Sequence, residues 1–123
     1  MLINLTNHPL SQWSEKQLKE AKKLYGKIVD LPFPQIPANW DSSEVDKLSE
    51  DYLNTILSNC QQGIYDKNNL SVHIMGEMTF CFSLIKKLQS HNIKCIASTT
   101  ERNVVEDGNT KKVIFEFCKF RNY

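Results

Sequence analysis

The stretch LSVHIMGEMT, residues 70–79, decides the fold of this sequence. Its first part, Leu70–Met75, is a short apolar run of the length typical of a buried strand. Gly76 follows at once, and the segment from Glu77 to His91 repeats apolar residues at helical spacing. A strand that passes directly into a helix is the unit from which parallel α/β sheets are built.

The same unit occurs on both sides of this stretch. The apolar runs that predict strands are Met1–Leu5, Lys27–Leu31, Leu70–Met75 and Ile93–Ala97. The helices predicted between them extend from Ser14 to Gly26, from Asp41 or Ser42 to Gly63, and from Glu77 to His91. Because strands alternate with helices, the connections are expected to be right-handed crossovers in a mainly parallel sheet.

The end of the chain has a different pattern. Asp107-Gly108 is a strong β-hairpin signal, and it predicts a hairpin between Asn103–Glu106 and Lys112–Phe120. The polar run Ser98–Arg102 is expected to be a loop before that hairpin. The sequence therefore predicts one Rossmann-like domain over residues 1–123, a three-layer α/β fold with a mainly parallel sheet of four strands and a C-terminal β-hairpin.

Composition excludes several classes of protein. The 123 residues are 41% hydrophobic and 24% charged with a net charge of +1, which argues against a surface for duplex nucleic acid. No apolar run reaches the length of a membrane helix, and no signal peptide is recognisable, so we expect a cytoplasmic protein without membrane partners. The four cysteines are widely spaced and are interpreted as free thiols, with a disulfide or zinc site as the alternative.

Ligands of open parallel sheets bind beyond the carboxyl ends of the strands, where the strand order reverses. Three polar segments lie at such ends: Thr6-Asn7-His8, Gly76-Glu77-Met78-Thr79 and Ser98-Thr99-Thr100-Glu101-Arg102. Free amides at a helix start hold phosphate, and hydroxyls and arginine are frequent phosphate partners. No Walker loop, G-x-G-x-x-G or metal-ligand cluster is present, so no cofactor or metal is expected. The absence of a G-x-S-x-G motif likewise argues against a Ser/His/acid triad.

Each candidate also has a simpler interpretation. Glu77 either orients a sugar hydroxyl or acts as a base, or it only complements the dipole of the helix that follows. His8 is a candidate general acid, although a loop histidine is more often merely exposed. The segment Ser98–Arg102 either binds phosphate or is a solvated loop. His73 lies inside a predicted strand and is interpreted as a core or sheet-face residue.

These three strand ends resemble those of small Rossmann-like proteins encoded beside type III CRISPR systems. That group is related to cyclic-oligoadenylate sensors and includes ring nucleases, which cleave the cyclic messenger. The resemblance spans the whole chain in architecture, and it is carried by Asn7-His8-Pro9, Gly76-Glu77-Met78-Thr79 and Ser98–Arg102.

The resemblance implies a homodimer whose strand-end loops form one pocket for a cyclic oligonucleotide. It further implies metal-independent cleavage for antiviral defence, with His8, Glu77 and Arg102 as catalytic candidates. The ligand-binding candidates are Asn7, Gly76, Met78, Thr79, Ser98, Thr99 and Thr100. The alternatives left open are a nucleotide sensor that does not cleave and a protein-interaction domain of the same fold.

Overall fold

The computed structural model describes all residues from 1 to 123. Five strands and three helices alternate until the last two strands, which follow each other. The elements are β1 Leu2–Thr6, α1 Glu15–Tyr25, β2 Ile28–Asp30, α2 Ser42–Gln61, β3 Ser71–Met75, α3 Met78–Ser90, β4 Lys94–Asp107 and β5 Thr110–Asn122. No helix combines the length and apolar character needed to cross a membrane.

The strands form one sheet in the order β2-β1-β3-β4-β5. The first four are parallel, and β5 is antiparallel to β4. The α/β class and the mainly parallel sheet are therefore confirmed, although the sheet has five strands rather than four. The chain moves from β1 outward to β2 and then returns past β1 to β3, so the strand order reverses between β1 and β3.

Helices cover both faces of the sheet. Alternate residues of the strands point to opposite faces, so each short strand contributes to two cores. The larger core packs α2 and α3 against one face and includes Ile3, Leu5, Val72, Ile74 and Phe80. The smaller core lies between α1 and the other face of the sheet, to which Phe120 of β5 contributes. It includes Leu2, Trp13, Ala21 and Ile96.

The helix boundaries follow the capping signals of the sequence. The Ser14 side chain accepts a hydrogen bond from the Gln17 amide, and Asp41 forms a capping box with Glu44. Gly26 ends α1 at φ +79°, a conformation that a side chain disfavours. These local interactions explain why the first two helices begin within a residue of their predicted positions.

The segment Ser98–Arg102 is not a loop, which corrects the sequence prediction. It lies inside β4, which joins the predicted fourth strand and the first hairpin strand into 14 residues. The reason is that β5 pairs with residues 96–107 of β4, so the backbone of the polar run is hydrogen-bonded. Its polar side chains are tolerated because none of them is fully buried: Ser98 and Thr99 are half-buried, and residues 100–102 are exposed. The tip of the two strands, residues 101–116, is exposed throughout, and we call it the β4–β5 arm.

Gly76 provides a test of the packing behind β3. A Cβ atom at this position would lie 2.4 Å from Cζ of Phe33, whose ring packs edge-on against Phe80. We expect Gly76→Ala to lower the free energy of unfolding by about 1–3 kcal/mol, because the ring must move. Urea denaturation measures this loss, and it should shrink in a Phe33→Leu background. Equal losses in both backgrounds would show that the ring is not the obstacle.

Candidate functional site

A cavity of about 510 Å³ opens at the carboxyl ends of β1 and β3 and is closed on one side by β4. We call it the strand-end pocket. It lies where the strand order reverses, and its volume is within the range of small-molecule sites. Five residues of the predicted site line it: Asn7, His8, Gly76, Ser98 and Thr100.

The other predicted site residues lie elsewhere. Glu77 caps α3, and its carboxylate accepts hydrogen bonds from the Thr79 and Phe80 amides. These hydrogen bonds hold the pKa of Glu77 below its ordinary value, and the bond from the Phe80 amide has the largest effect. Because the carboxylate occupies the free amides of α3, the helix start does not present them to a phosphate.

Four further candidates are also outside the strand-end pocket. Met78 and Thr79 line a separate cavity between α2 and α3. The Thr99 hydroxyl donates a hydrogen bond to the Lys119 carbonyl at 3.2 Å. Arg102 lies on the exposed β4–β5 arm, paired across the strands with Phe115. Since directly paired residues share a face of the sheet, Arg102 is on the pocket side but beyond the pocket rim.

Polar side chains form a row across the sheet that ends in the strand-end pocket. Asp30, Asn4 and His73 occupy aligned positions on β2, β1 and β3. The amide nitrogen Nδ2 of Asn4 donates to Asp30 Oδ1 at 2.9 Å and to the His8 carbonyl at 2.8 Å. The Asn4 oxygen Oδ1 accepts a hydrogen bond from the Thr6 hydroxyl at 2.9 Å. This row replaces apolar packing in the middle of a sheet and needs a complete set of partners.

The orientation of Asn4 fixes the tautomer of His73. Nδ1 of the His73 ring is 3.0 Å from Asn4 Oδ1. That oxygen is an acceptor, because a reversed amide would place it against the Asp30 carboxylate and the His8 carbonyl. Nδ1 therefore carries the proton, and Nε2 of the same ring is left as an acceptor.

Ser98 completes the row at the pocket surface. Its hydroxyl lies 3.1 Å from His73 Nε2 and 3.3 Å from the Met75 sulfur. A thioether is a weak acceptor, so the hydroxyl proton is donated to the imidazole nitrogen. His73 is 2% exposed, whereas Ser98 is half-buried. A ligand in the pocket can therefore contact the serine hydroxyl more readily than the imidazole behind it.

Aromatic rings enclose the imidazole. Trp13 and Phe120 pack edge-on against His73, with ring centroids 5.3 Å and 5.6 Å away. The Trp13 indole N–H donates to the same His8 carbonyl that Asn4 binds. Burial lowers the pKa of His73 to about 4, so its ring is neutral at physiological pH.

The lining of the strand-end pocket contains no carboxylate. The backbone amides of Asn7 and Gly76, two residues that line the pocket, make no hydrogen bond within the protein. A shallower groove continues from the pocket past Gln12, Gln17 and Phe115 and adds Lys16 and Glu116. The pocket thus offers uncharged donors to a ligand and has one lysine and one glutamate at its extension.

Asn4 and His73 were not among the predicted site residues. Their signal in the sequence is the polar residue inside an apolar strand, MLINL for Asn4 and LSVHIM for His73. Because strand residues alternate between faces, each of these polar side chains must point into a core or a site. The expectation that His73 lies on a buried sheet face is confirmed.

Comparison with known proteins gives a family match for nearly the whole chain. Residues 1–121 match the model described as the uncharacterized protein MJ1673 family. No curated protein and no solved structure is significantly similar to the chain.

The buried imidazole makes folding stability depend on pH. The pKa of His73 is lowered from 6.5 to about 4, so the folded protein binds fewer protons than the unfolded chain between these values. Stability is therefore complete above the higher value and falls as the pH drops. We expect a loss of about 2 kcal/mol between about pH 7 and about pH 5.

Chemical denaturation across this pH window measures the loss. His73→Gln should flatten the dependence, whereas the exposed His91→Gln should preserve it. Carboxylates with lowered pKa values, Asp46 and Glu77, act mainly below the window, since their ordinary values are 3.8 and 4.5. Identical slopes in the wild type and His73→Gln would contradict a neutral buried His73.

Proposed function

The chain belongs to the uncharacterized MJ1673 family, and we propose that this protein binds a cyclic oligoadenylate in the strand-end pocket and cleaves it without a metal ion. One observation carries the proposal. The pocket combines uncharged hydrogen-bond donors, an exposed aromatic ring and an exposed histidine, and no carboxylate lines it. This is the chemistry that a small anionic ligand with nucleobases requires.

The base-binding part of the proposal rests on the outer wall. Phe115 is 64% exposed and lines the pocket. A base that stacks on such a ring gains about 1–3 kcal/mol. The side-chain amides of Gln12 and Gln17 lie on the same wall, and each offers a donor and an acceptor to the edge of a base.

The phosphate-binding part rests on the strand ends. The unpaired amides of Asn7 and Gly76 and the hydroxyl of Thr100 supply donors from residues that line the pocket. Lys16 supplies a positive charge in the continuing groove. Donors fixed by the sheet stabilise a phosphorane more than flexible ones do, because they need no reorganisation during the reaction.

The reaction we propose uses a hydroxyl of the ligand itself. The ribose 2′-oxygen attacks the adjacent phosphorus, the bond to the 5′-oxygen breaks, and a 2′,3′-cyclic phosphate forms. One proton leaves the 2′-hydroxyl and one is delivered to the 5′-oxygen. His8 is the proton-transfer group, and the pocket holds the attacking and leaving oxygens in line. Glu77 is not used, because its carboxylate caps α3.

The complete site in this proposal belongs to a cytoplasmic homodimer that acts in type III CRISPR defence. A cyclic ligand with two-fold symmetry fits a pocket shared by two copies of the chain. The β4–β5 arm supports this arrangement, because it exposes Arg102 on the pocket side of the sheet. A partner's arm can then bring a guanidinium to a pocket whose own lining has none.

Cleavage is tested with labelled cyclic tetra-adenylate and cyclic hexa-adenylate in the presence of EDTA. We expect linear products from the wild type and at least roughly tenfold slower cleavage by His8→Ala, because a proton-transfer group is lost. Ser58→Ala on α2, far from the strand ends, is the control and should cleave normally. A thermal shift without products would indicate a sensor, and the absence of both would exclude the proposed ligand.

A shared site is tested by mixing two variants. We expect His8→Ala and Arg102→Ala each to lose at least roughly tenfold in turnover. After mixing and subunit exchange, the heterodimer contains one intact site, which restores about a quarter of the wild-type activity. Size-exclusion chromatography checks that both variants form the same assembly. Unchanged turnover in Arg102→Ala would remove this residue from the site.

A further inference from the structure

The row of polar side chains that ends in the strand-end pocket contains a hydrogen-bonded chain, Asn4–His73–Ser98, that the proposed cleavage does not use. Its buried imidazole binds a hydroxyl through one nitrogen and an amide oxygen through the other. We propose that Ser98 is a nucleophile activated by His73 and oriented by Asn4, and that the pocket hydrolyses carboxylic esters. This activity goes beyond the proposed function and does not depend on a nucleotide ligand.

The geometry is that of a nucleophile, a base and an orienting group. Ser98 Oγ lies 3.1 Å from His73 Nε2, and His73 Nδ1 lies 3.0 Å from Asn4 Oδ1. Both distances are within the range expected for such groups before substrate binds. The two ring nitrogens have the required roles, since Nδ1 donates to Asn4 and Nε2 accepts from Ser98.

The orienting residue is itself held in place. Asn4 donates to the Asp30 carboxylate at 2.9 Å and to the His8 carbonyl at 2.8 Å, so its oxygen cannot turn away from the imidazole. The Asp30 carboxylate is fixed by the Leu10 amide at 3.2 Å and lies behind Asn4. Its negative charge stabilises the imidazolium that forms when His73 accepts the serine proton.

The remaining requirements are access and an oxyanion site. Ser98 is the half-buried end of the row and lines the strand-end pocket, so an ester carbonyl can reach its oxygen. Asn7 and Gly76 line the same pocket, and their unpaired amides are the donors available to a developing oxyanion. The rings of Trp13 and Phe120 pack against the imidazole and shield it from water.

Ester hydrolysis at this site proceeds in two steps, with Ser98 as nucleophile and His73 as proton carrier. Ser98 Oγ attacks the carbonyl carbon while its proton moves to His73 Nε2. The bond to the alkoxide then breaks, the proton passes from His73 to that oxygen, and an alcohol leaves while an acyl-serine remains. Water attacks the acyl carbon with His73 as base, and it releases a carboxylic acid and the free serine.

A fluorophosphonate probe tests the nucleophile in the native protein. We expect a covalent adduct that tryptic mass spectrometry maps to Ser98, together with hydrolysis of p-nitrophenyl acetate. Ser98→Ala should abolish both, and His73→Gln should slow both by roughly 100-fold, the contribution of a general base. Ser58→Ala, at a half-buried serine like Ser98, and the exposed His91→Gln are the controls, and circular dichroism checks the fold of each variant.

The outcomes separate this activity from nucleotide cleavage. No adduct on Ser98 of the wild type overturns the proposal, as does ester hydrolysis that survives in Ser98→Ala, since surface imidazoles would then explain it. Because the adduct is mapped in the wild-type protein, this result does not depend on whether His73→Gln folds. Cleavage of cyclic oligoadenylates is measured separately, so either activity can fail without the other.

Discussion

A buried imidazole with both nitrogens bound is the constraint on which the site depends. His73 lies at the centre of a parallel sheet, where an unpaired polar atom costs about 1–3 kcal/mol. Its partners come from the strands on either side, Asn4 on β1 and Ser98 on β4. All buried side-chain nitrogen and oxygen atoms have such partners in this protein. The register of three strands therefore sets the hydrogen bonds of the site.

The two faces of the sheet differ in role: one provides most of the apolar packing, and the other carries the polar side chains of the site. The face toward α2 and α3 is almost entirely apolar, with strand residues such as Val72 and Ile74 packed on Phe80. The face toward α1 is apolar at Leu2 and Ile96 but polar at Asn4 and His73, which are paired residues of β1 and β3. Because the larger core supplies most of the apolar burial, the smaller face can accommodate a polar row.

The sequence predicts the framework well because local signals determine it. Alternating strands and helices, the Ser14 cap and the Asp107-Gly108 turn all give elements near their observed positions. Two parts were not predictable in the same way. Polarity alone suggested a loop at Ser98–Arg102, but pairing with the distant β5 makes it a strand. The partners of His73 depend on strand order, which no local pattern contains.

The charges around the pocket are arranged so that its lining stays neutral or donor-rich. Glu77 turns its carboxylate to the start of α3, and Asp30 turns its own to Asn4 and Leu10. Both acidic groups are thereby satisfied by protein donors and do not line the strand-end pocket. The neutral His73 ring follows the same rule, because a buried imidazolium would lack a directly bonded carboxylate. A pocket built in this way admits anions and polarised carbonyl oxygens, and repulsion from nearby carboxylates does not exclude them.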